Sequence, residues 1–137
     1  MSLFVDTSVW YAAADVDDRS NPRAKDILSR GSRLVTTDHV LLETWTLLRW
    51  RVHRTAAEAF WQGLREGVAS VEPVGAADLE RGWAIGLAFS DQDFSFVDRT
   101  SFAVMERLGL ERAAAFDPDF SVYRYGPKRD RAFEVVG

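Results

Sequence analysis

Short apolar runs alternate with helical patterns along most of this chain of 137 residues. Runs rich in branched and aromatic residues predict β-strands at 2–5, 33–37, 68–74 and 113–117. Between them, helices are predicted at 8–16, 21–31, 38–52, 55–67, 76–89 and 95–109. After residue 120 the pattern weakens, and both 123–125 and 132–136 are predicted as strands separated by a polar turn. Strands that alternate with helices favour a parallel sheet with helices on both faces, so the predicted fold is a three-layer α/β/α sandwich.

Several helix starts carry specific signals. Asn21 followed by Pro22 marks the start of the second helix. Asp38 is predicted to cap the third helix. Thr55 and Glu58 match a capping box, which predicts that the fourth helix begins there.

The composition predicts a single domain, residues 1–137, with an ordinary core, because 47% of the residues are hydrophobic and 12% are aromatic. The chain has no cysteine, which excludes disulfides, thiolate chemistry and cysteine-based zinc sites. His39 and His53 are the only histidines, which argues against a Ser-His-Asp triad and a histidine-rich metal site. A metal bound by this chain would therefore have oxygen ligands, which favours Mg²⁺ or Mn²⁺.

The net charge of −4 argues against a passive nucleic-acid binder, since such proteins usually carry a basic face. It does not exclude a nuclease whose carboxylates hold cations. No apolar stretch approaches the roughly 20 residues that span a bilayer, and no basic-then-apolar leader opens the chain. We therefore predict a cytoplasmic protein without a membrane partner.

Two acids directly follow predicted strands. Asp6 ends the first apolar run and Asp117 ends the fourth. Either residue alone is most simply interpreted as a cap of the next helix or turn. Together they favour a shared site, because the carboxyl ends of parallel strands meet at the sheet edge where ligands bind. Carboxylates gathered there cannot all stay ionised without a cation, which indicates a metal-dependent hydrolase.

Two further acids lie on predicted helices. Glu43 is the only charged residue between Val40 and Leu48, in a helix that is apolar nearly all round. A carboxylate in apolar surroundings is costly unless it is paired or metal-bound, so we favour a functional role over a place on a polar stripe. Asp98 has two equal interpretations. With Ser95 it matches a capping box, and a carboxylate in the first helical turn can also point at the sheet edge.

Other polar residues carry weaker signals. The candidate hydrogen-bond donors to these carboxylates are Thr7, Ser8 and Ser101, the candidate outer acids are Asp91, Asp93 and Asp119, and the candidate phosphate contacts are Arg49, Arg51 and Arg99. For each of them a solvated loop or helix face is the more ordinary use.

Four segments, taken in order, resemble the PIN domain family. They are VDTSVW (5–10), LET (42–44), FSFVD with SFAVM (94–98 and 101–105) and FDPDF (116–120). The resemblance covers residues 2 to about 125, and the nearest subgroup is the VapC-type toxins of bacterial toxin–antitoxin pairs. The tail after Phe120 resembles the family least.

The resemblance implies an α/β/α sandwich and a ribonuclease that depends on Mg²⁺ or Mn²⁺. Carried over residue by residue, the catalytic and metal-binding acids are Asp6, Glu43, Asp98 and Asp117. Phosphodiester hydrolysis needs an activated water and neutralisation of charge in the transition state, and cations held by carboxylates supply both. The implied partners are an RNA substrate, recognised largely in single-stranded or loop regions, and a cognate antitoxin. A homodimer is also predicted, partly from the resemblance and partly from large aromatics on amphipathic helices.

Alternative functions leave different marks in a sequence. A phosphorelay receiver domain would need a lysine after a C-terminal strand, but neither Lys25 nor Lys128 follows an apolar run. A haloacid-dehalogenase-like phosphatase would need an Asp two residues after Asp6, where Ser8 stands. A free-standing PIN ribonuclease, or a PIN scaffold that mainly binds a regulatory partner, stays open. A small upstream gene with a DNA-binding pattern would favour the toxin–antitoxin pair, and the complete set of four acids argues against a purely structural role.

Overall fold

A parallel sheet of five strands forms the centre of the molecule, which the computed structural model describes over residues 1–137. The strands are β1 (Ser2–Val5), β2 (Arg33–Thr37), β3 (Ser70–Glu72), β4 (Arg112–Ala114) and β5 (Glu134–Val136). They lie in the order β3-β2-β1-β4-β5, and every neighbouring pair is parallel. The predicted parallel sheet is therefore confirmed.

Seven helices cover this sheet. They are α1 (Thr7–Ala14), α2 (Asn21–Leu28), α3 (Asp38–Arg51), α4 (Arg54–Arg65), α5 (Ala76–Ala88), α6 (Phe96–Leu108) and α7 (Asp119–Val122). Helix α1 packs against α2, α3 and α4, whereas α6 packs against α5 and α7. The two groups form the outer layers of the predicted α/β/α sandwich. None of the helices is long and apolar enough to cross a membrane.

Strand β1 occupies the middle of the sheet, which fits its continuous apolar run. Leu3, Phe4 and Val5 are all buried, as expected for a strand that is covered on both faces. Its neighbours on either side are β2 and β4. The ladder continues past the strand ends, since the backbone N–H of Asp6 donates to the carbonyl of Ala114 at 3.0 Å. The residues that follow β1 and β4 are thereby held side by side.

Two predicted helix starts are corrected. Thr37, not Asp38, caps α3, because the Thr37 hydroxyl accepts a backbone N–H at 3.1 Å while Asp38 lies in the first turn. His53 caps α4, because its Nδ1 accepts a backbone N–H at 3.1 Å. The predicted capping box of Thr55 and Glu58 is therefore wrong. Glu58 instead forms an exposed ion pair within the helix.

An aromatic cluster fills the space between α6, α7 and the tail. Phe102 of α6 is fully buried at its centre. Its ring centroid lies 4.3 Å from that of Tyr123, 4.9 Å from that of Phe120 and 5.3 Å from that of Phe94. Phe102 lies about one turn after Asp98, so this packing fixes the first turn of α6 relative to α7.

The tail differs in part from its prediction. Residues 123–125 are not a strand, because Tyr123 ends α7 and buries its ring in the aromatic cluster. Tyr125 forms only an isolated antiparallel bridge with Arg131. The second tail strand is confirmed as β5, which pairs with β4. Helix α7 was not predicted, since four residues are too few to show a helical period.

Candidate active site

An open cavity of about 610 Å³ lies where β1 and β4 end. Seven acids line its wall: Asp6, Asp18, Glu43, Asp93, Asp98, Asp117 and Asp119. Arg51 is the only basic residue on the wall, and no histidine or lysine lines it. The four acids predicted as site residues thus surround a single cavity.

Asp6 is held by the start of α1. Its carboxylate accepts hydrogen bonds from the Ser8 hydroxyl at 2.8 Å and from the Ser8 backbone N–H at 3.3 Å. The Ser8 hydroxyl also accepts the backbone N–H of Phe116 at 3.0 Å. Ser8 therefore connects the acid after β1 to the backbone just before Asp117, which fixes the spacing of the two strand ends.

Asp98 lies in the first turn of α6, and its backbone N–H donates to the Ser95 hydroxyl at 3.1 Å. The second half of a capping box, a bond from the Ser95 N–H to the Asp98 carboxylate, is absent. The carboxylate is buried and lies on the cavity wall. Of the two interpretations of Asp98, the structure favours the one that directs its side chain to the sheet edge.

Three acids form the tightest group in the cavity. One carboxylate oxygen from each of Asp98, Asp117 and Asp119 lies within 4.8 Å of the others. The Asp117 carboxylate also accepts the backbone N–H of Asp119 at 2.9 Å, which holds the two residues together. Asp119 was predicted only as a candidate outer acid. Its signal in the sequence is the Asp-Pro-Asp spacing, in which Pro118 begins a helical turn that directs Asp119 back to the cavity.

Glu43 reaches the cavity from α3 and is half-buried. The apolar residues around Glu43 are not all buried, because Leu42 is 56% exposed and Trp50 is 76% exposed, so an apolar pattern by itself does not establish burial of this carboxylate. Glu43 instead lies between the acidic cavity and a shallow apolar groove lined by Leu42, Leu47 and Val97.

Burial, and after it the crowding of like charges, raises the pKa values of three carboxyl groups in the cavity. Burial, followed by the charges of the neighbouring acids, raises the pKa of Asp98 from 3.8 to about 8. Burial raises the pKa of Asp6 to about 6, against the hydrogen bonds from Ser8, which lower it. Burial and the charge of Asp117 raise the pKa of Asp119. With these pKa values Asp98 stays largely protonated at neutral pH, and full ionisation of the cluster needs more positive charge than Arg51, the only basic residue on the wall, supplies.

These shifts predict that the metal-free protein loses stability as pH rises. The folded-state pKa values of Asp6 and Asp98 lie above the ordinary 3.8, so between about pH 4 and pH 8 the folded state binds more protons than the unfolded state. The free energy of unfolding should therefore fall across this window, by an amount on the order of 2 kcal/mol or more. Urea unfolding in EDTA at several pH values measures this, and a stability that rises from pH 5 to pH 8 would contradict it.

The residues present fit a divalent cation. Grouped carboxylate oxygens are the ligands that Mg²⁺ and Mn²⁺ prefer. The Thr7 hydroxyl, on the cavity wall, is buried without a hydrogen-bond partner, as is the hydroxyl of Ser101. A buried hydroxyl without a protein partner beside an acidic cluster fits a site for a hydrated cation, whose water molecules can bond to it.

The remaining candidate acids and arginines differ in whether they line the cavity. Asp93 lines the cavity, whereas Asp91 is exposed outside it. Among the arginines, Arg51 lies on the wall with its guanidinium 5.8 Å from the Tyr11 ring. Arg49 stacks on Trp50, and Arg99 donates to the carbonyl of Phe94, so neither lines the cavity.

Comparison with known proteins identifies relatives that are similar in sequence and in structure. The chain is 42% identical to the 23S rRNA-specific endonuclease VapC20 of Mycobacterium tuberculosis over 120 residues, which cover 87% of this chain and 92% of that protein. The crystal structure of M. tuberculosis VapC20, a sarcin-ricin loop cleaving toxin, matches with a TM-score of 0.83 and 40% identity over 88% of this chain and 93% of that one.

A more distant structure shares the fold alone. VapBC2 from Rickettsia felis, solved with a DNA fragment from its promoter, matches with a TM-score of 0.67 and 10% identity, over 99% of this chain and 98% of that one. The sequence profile of the PIN domain matches residues 3–124. This span includes all seven acids of the cavity wall. The chain therefore belongs to the PIN domain family.

Proposed function

We propose that the protein is a metal-dependent endoribonuclease and the toxin of a VapBC-type toxin–antitoxin pair. The observation that carries this proposal is the convergence of Asp6, Glu43, Asp98, Asp117 and Asp119 on one cavity of a PIN-domain chain. The 42% identical relative is an endonuclease specific for 23S rRNA, which supports RNA as the substrate.

In this proposal Asp6, Glu43, Asp98 and Asp117 hold Mg²⁺ or Mn²⁺, and Asp119 completes the ligand set beside Asp98 and Asp117. The cation supplies charge neutralisation for the transition state and activation of a water molecule. Ser8 keeps the Asp6 carboxylate at a fixed distance from the end of β4.

The nucleophile is expected to be water, because the cavity offers no activated side chain. No histidine, lysine or cysteine lines the wall, and the Ser8 hydroxyl already donates to Asp6. The acids orient the water and accept its proton. Arg51, the one cation on the wall, is placed to contact a phosphate of the bound RNA.

The test is RNA cleavage with and without divalent cations. EDTA should stop cleavage, and added Mg²⁺ or Mn²⁺ should restore it, because the ionised cluster is electrostatically unfavourable without a cation. A readout without RNA is a thermal melt near pH 8, at which Mg²⁺ should raise the melting temperature. Cleavage that survives EDTA would contradict the metal mechanism, and purified protein that cleaves no RNA under any condition would contradict the function.

The toxin assignment predicts a protein partner that a free-standing ribonuclease lacks. A small gene beside this one, encoding a DNA-binding protein that copurifies with the chain and inhibits it, would identify the antitoxin. An RNA-cleaving toxin meets its substrate in the cytoplasm, which is where we propose that this protein acts.

We also expect a homodimer. Leu79, Trp83 and Leu87 follow one another at four-residue spacing on α5 and are 42%, 58% and 65% exposed. They form one apolar stripe of the helix, and exposed stripes of this kind commonly mark protein interfaces. Sedimentation of the purified protein at micromolar concentrations should show a dimer, and Trp83→Glu should shift it to a monomer. A wild-type protein that stays monomeric would contradict the expectation.

A further inference from the structure

The cavity wall is poorly suited to hold an RNA backbone by itself. Seven acids line it against the single cation Arg51. RNA carries one negative charge per phosphate, and the backbone is normally bound through lysine and arginine. A cation held by the acids would neutralise the phosphate being cleaved, but the phosphates on either side need basic residues from outside the cavity.

A basic hairpin, residues 124–131, lies almost entirely beyond the segment that matches the PIN domain profile. It holds four basic residues and one acid, in a chain whose net charge is −4: Arg124, Lys128, Arg129, Arg131 and Asp130. An antiparallel bridge between Tyr125 and Arg131 closes it. The basic hairpin is thus a local concentration of positive charge on an acidic protein.

Three of its basic side chains are available to a ligand. The guanidinium of Arg124 is occupied, because it donates to the carbonyl of Ser121 at 2.6 Å and to two further carbonyls at the end of α7. Lys128, Arg129 and Arg131 are exposed, and none of them forms an ion pair. Their charges are therefore not neutralised within the protein.

The basic hairpin is fixed against the connection between α5 and α6. The Arg129 guanidinium stacks on the Phe89 ring at 5.8 Å, and Arg129 adopts φ 49°, a left-handed conformation that is uncommon for such a side chain. The Phe89 ring lies 5.8 Å from the Phe94 ring. Asp93 and Ser95, on either side of Phe94, line the cavity. The hairpin therefore adjoins the connection between α5 and α6 that forms part of the cavity wall.

We propose that the basic hairpin binds the phosphate backbone of the RNA substrate outside the cavity, through Lys128, Arg129 and Arg131. This inference rests on the proposed ribonuclease function. RNA fits better than an acidic protein segment, because the hairpin contacts Phe89 at the start of the connection that contributes Asp93 and Ser95 to the wall of the cavity in which the RNA is cleaved. The hairpin thus extends the substrate site beyond the part of the chain shared with the family profile.

The test compares two double variants of equal charge loss. Lys128→Gln with Arg131→Gln removes two hairpin charges, while Lys25→Gln with Arg65→Gln removes two exposed charges on α2 and α4. The hairpin variant should raise KM for a long RNA stem–loop about tenfold. The plot of the logarithm of the binding constant against the logarithm of the salt concentration should become less steep by about 1.4, since each single-strand phosphate contact contributes about 0.7 to that slope. Its kcat, and its KM for an oligonucleotide of only a few nucleotides, should not change. Asp130→Asn should lower KM for the long RNA.

The outcomes separate this inference from the function on which it rests. If the hairpin variant has the same KM and salt dependence as the control variant on long RNA, the hairpin does not bind substrate and the inference is overturned. A hairpin variant that cleaves normally but no longer binds a coexpressed antitoxin would assign the surface to an acidic protein and also overturn it. If the wild-type protein neither binds nor cleaves any RNA, the proposed function itself fails.

Discussion

Replacing Asp98 by asparagine is expected to lower kcat/KM for RNA cleavage by about a thousandfold or more, because a ligand at the centre of the acidic cluster is worth several kcal/mol in the transition state. The same variant should be more stable than the wild type in EDTA near pH 8. There the Asp98 carboxyl, whose pKa is raised to about 8, begins to ionise at a cost in free energy that the amide avoids. Cleavage assays and urea unfolding of the same preparations measure the two effects.

Asp91→Asn is the matched control for this experiment. Asp91 precedes α6, is exposed and lies outside the cavity wall, so its replacement should change neither cleavage nor stability appreciably. An Asp98→Asn protein as active as the Asp91→Asn protein would show that Asp98 does no more than start its helix. A destabilised Asp98→Asn protein in EDTA would instead contradict the electrostatic argument.

The second large effect is expected in the core. Phe102→Ala should lower the free energy of unfolding by about 3–5 kcal/mol, the cost of emptying a fully buried aromatic site. The loss should be large because the Phe102 ring contacts three other buried rings, one of them stacked at 4.3 Å. Urea unfolding of the metal-free protein measures this change. The urea concentration at the unfolding midpoint should fall, while the dependence of the unfolding free energy on urea concentration stays the same.

A surface variant sets the scale for this comparison. Val68→Ala shortens a side chain that is 53% exposed between α4 and β3, away from the apolar stripe of α5, so its effect on the free energy of unfolding should stay within about 0.5 kcal/mol. If Phe102→Ala costs no more than Val68→Ala, the aromatic cluster does not hold α6 in place. Phe102→Leu, which keeps much of the volume, should fall between the two.

The sequence predicted the strand-end acids well because the physical signal there is local. Asp6 and Asp117 each follow an apolar run. In an open parallel sheet, ligands bind at the carboxyl ends of the strands, so two acids at these positions already indicate a binding site. Their neighbourhood depends on a non-local fact, the pairing of β1 with β4, which only the folded sheet reveals. The contact from Ser8 to the Phe116 N–H spans 108 residues and could not be predicted from either segment.

Other site features depended on side-chain directions that a linear pattern does not contain. The capping-box pattern left Asp98 undecided, because whether its carboxylate bonds back to Ser95 is decided by packing of α6. Asp119 carries only a weak signal in the sequence, since the helical turn that begins at Pro118 and returns it to the cavity is too short to show a period. Glu43 has apolar neighbours along the helix, but Leu42 and Trp50 are exposed, and a linear pattern does not distinguish an exposed apolar side chain from a buried one.

The order of the strands also bears on when the protein becomes active during its synthesis. β1 is synthesised first, but one of its two neighbours in the sheet is β4. Val5 therefore cannot pair with Ala114 until residues 112–114 have been synthesised. Asp98, Asp117 and Asp119 all come from the last third of the chain. A nascent chain that has emerged only through α5 carries Asp6 and Glu43 without the three acids that form the tightest group. Such a chain cannot assemble the cleavage site, so the nuclease becomes active only after α6, β4 and α7 have been synthesised and folded.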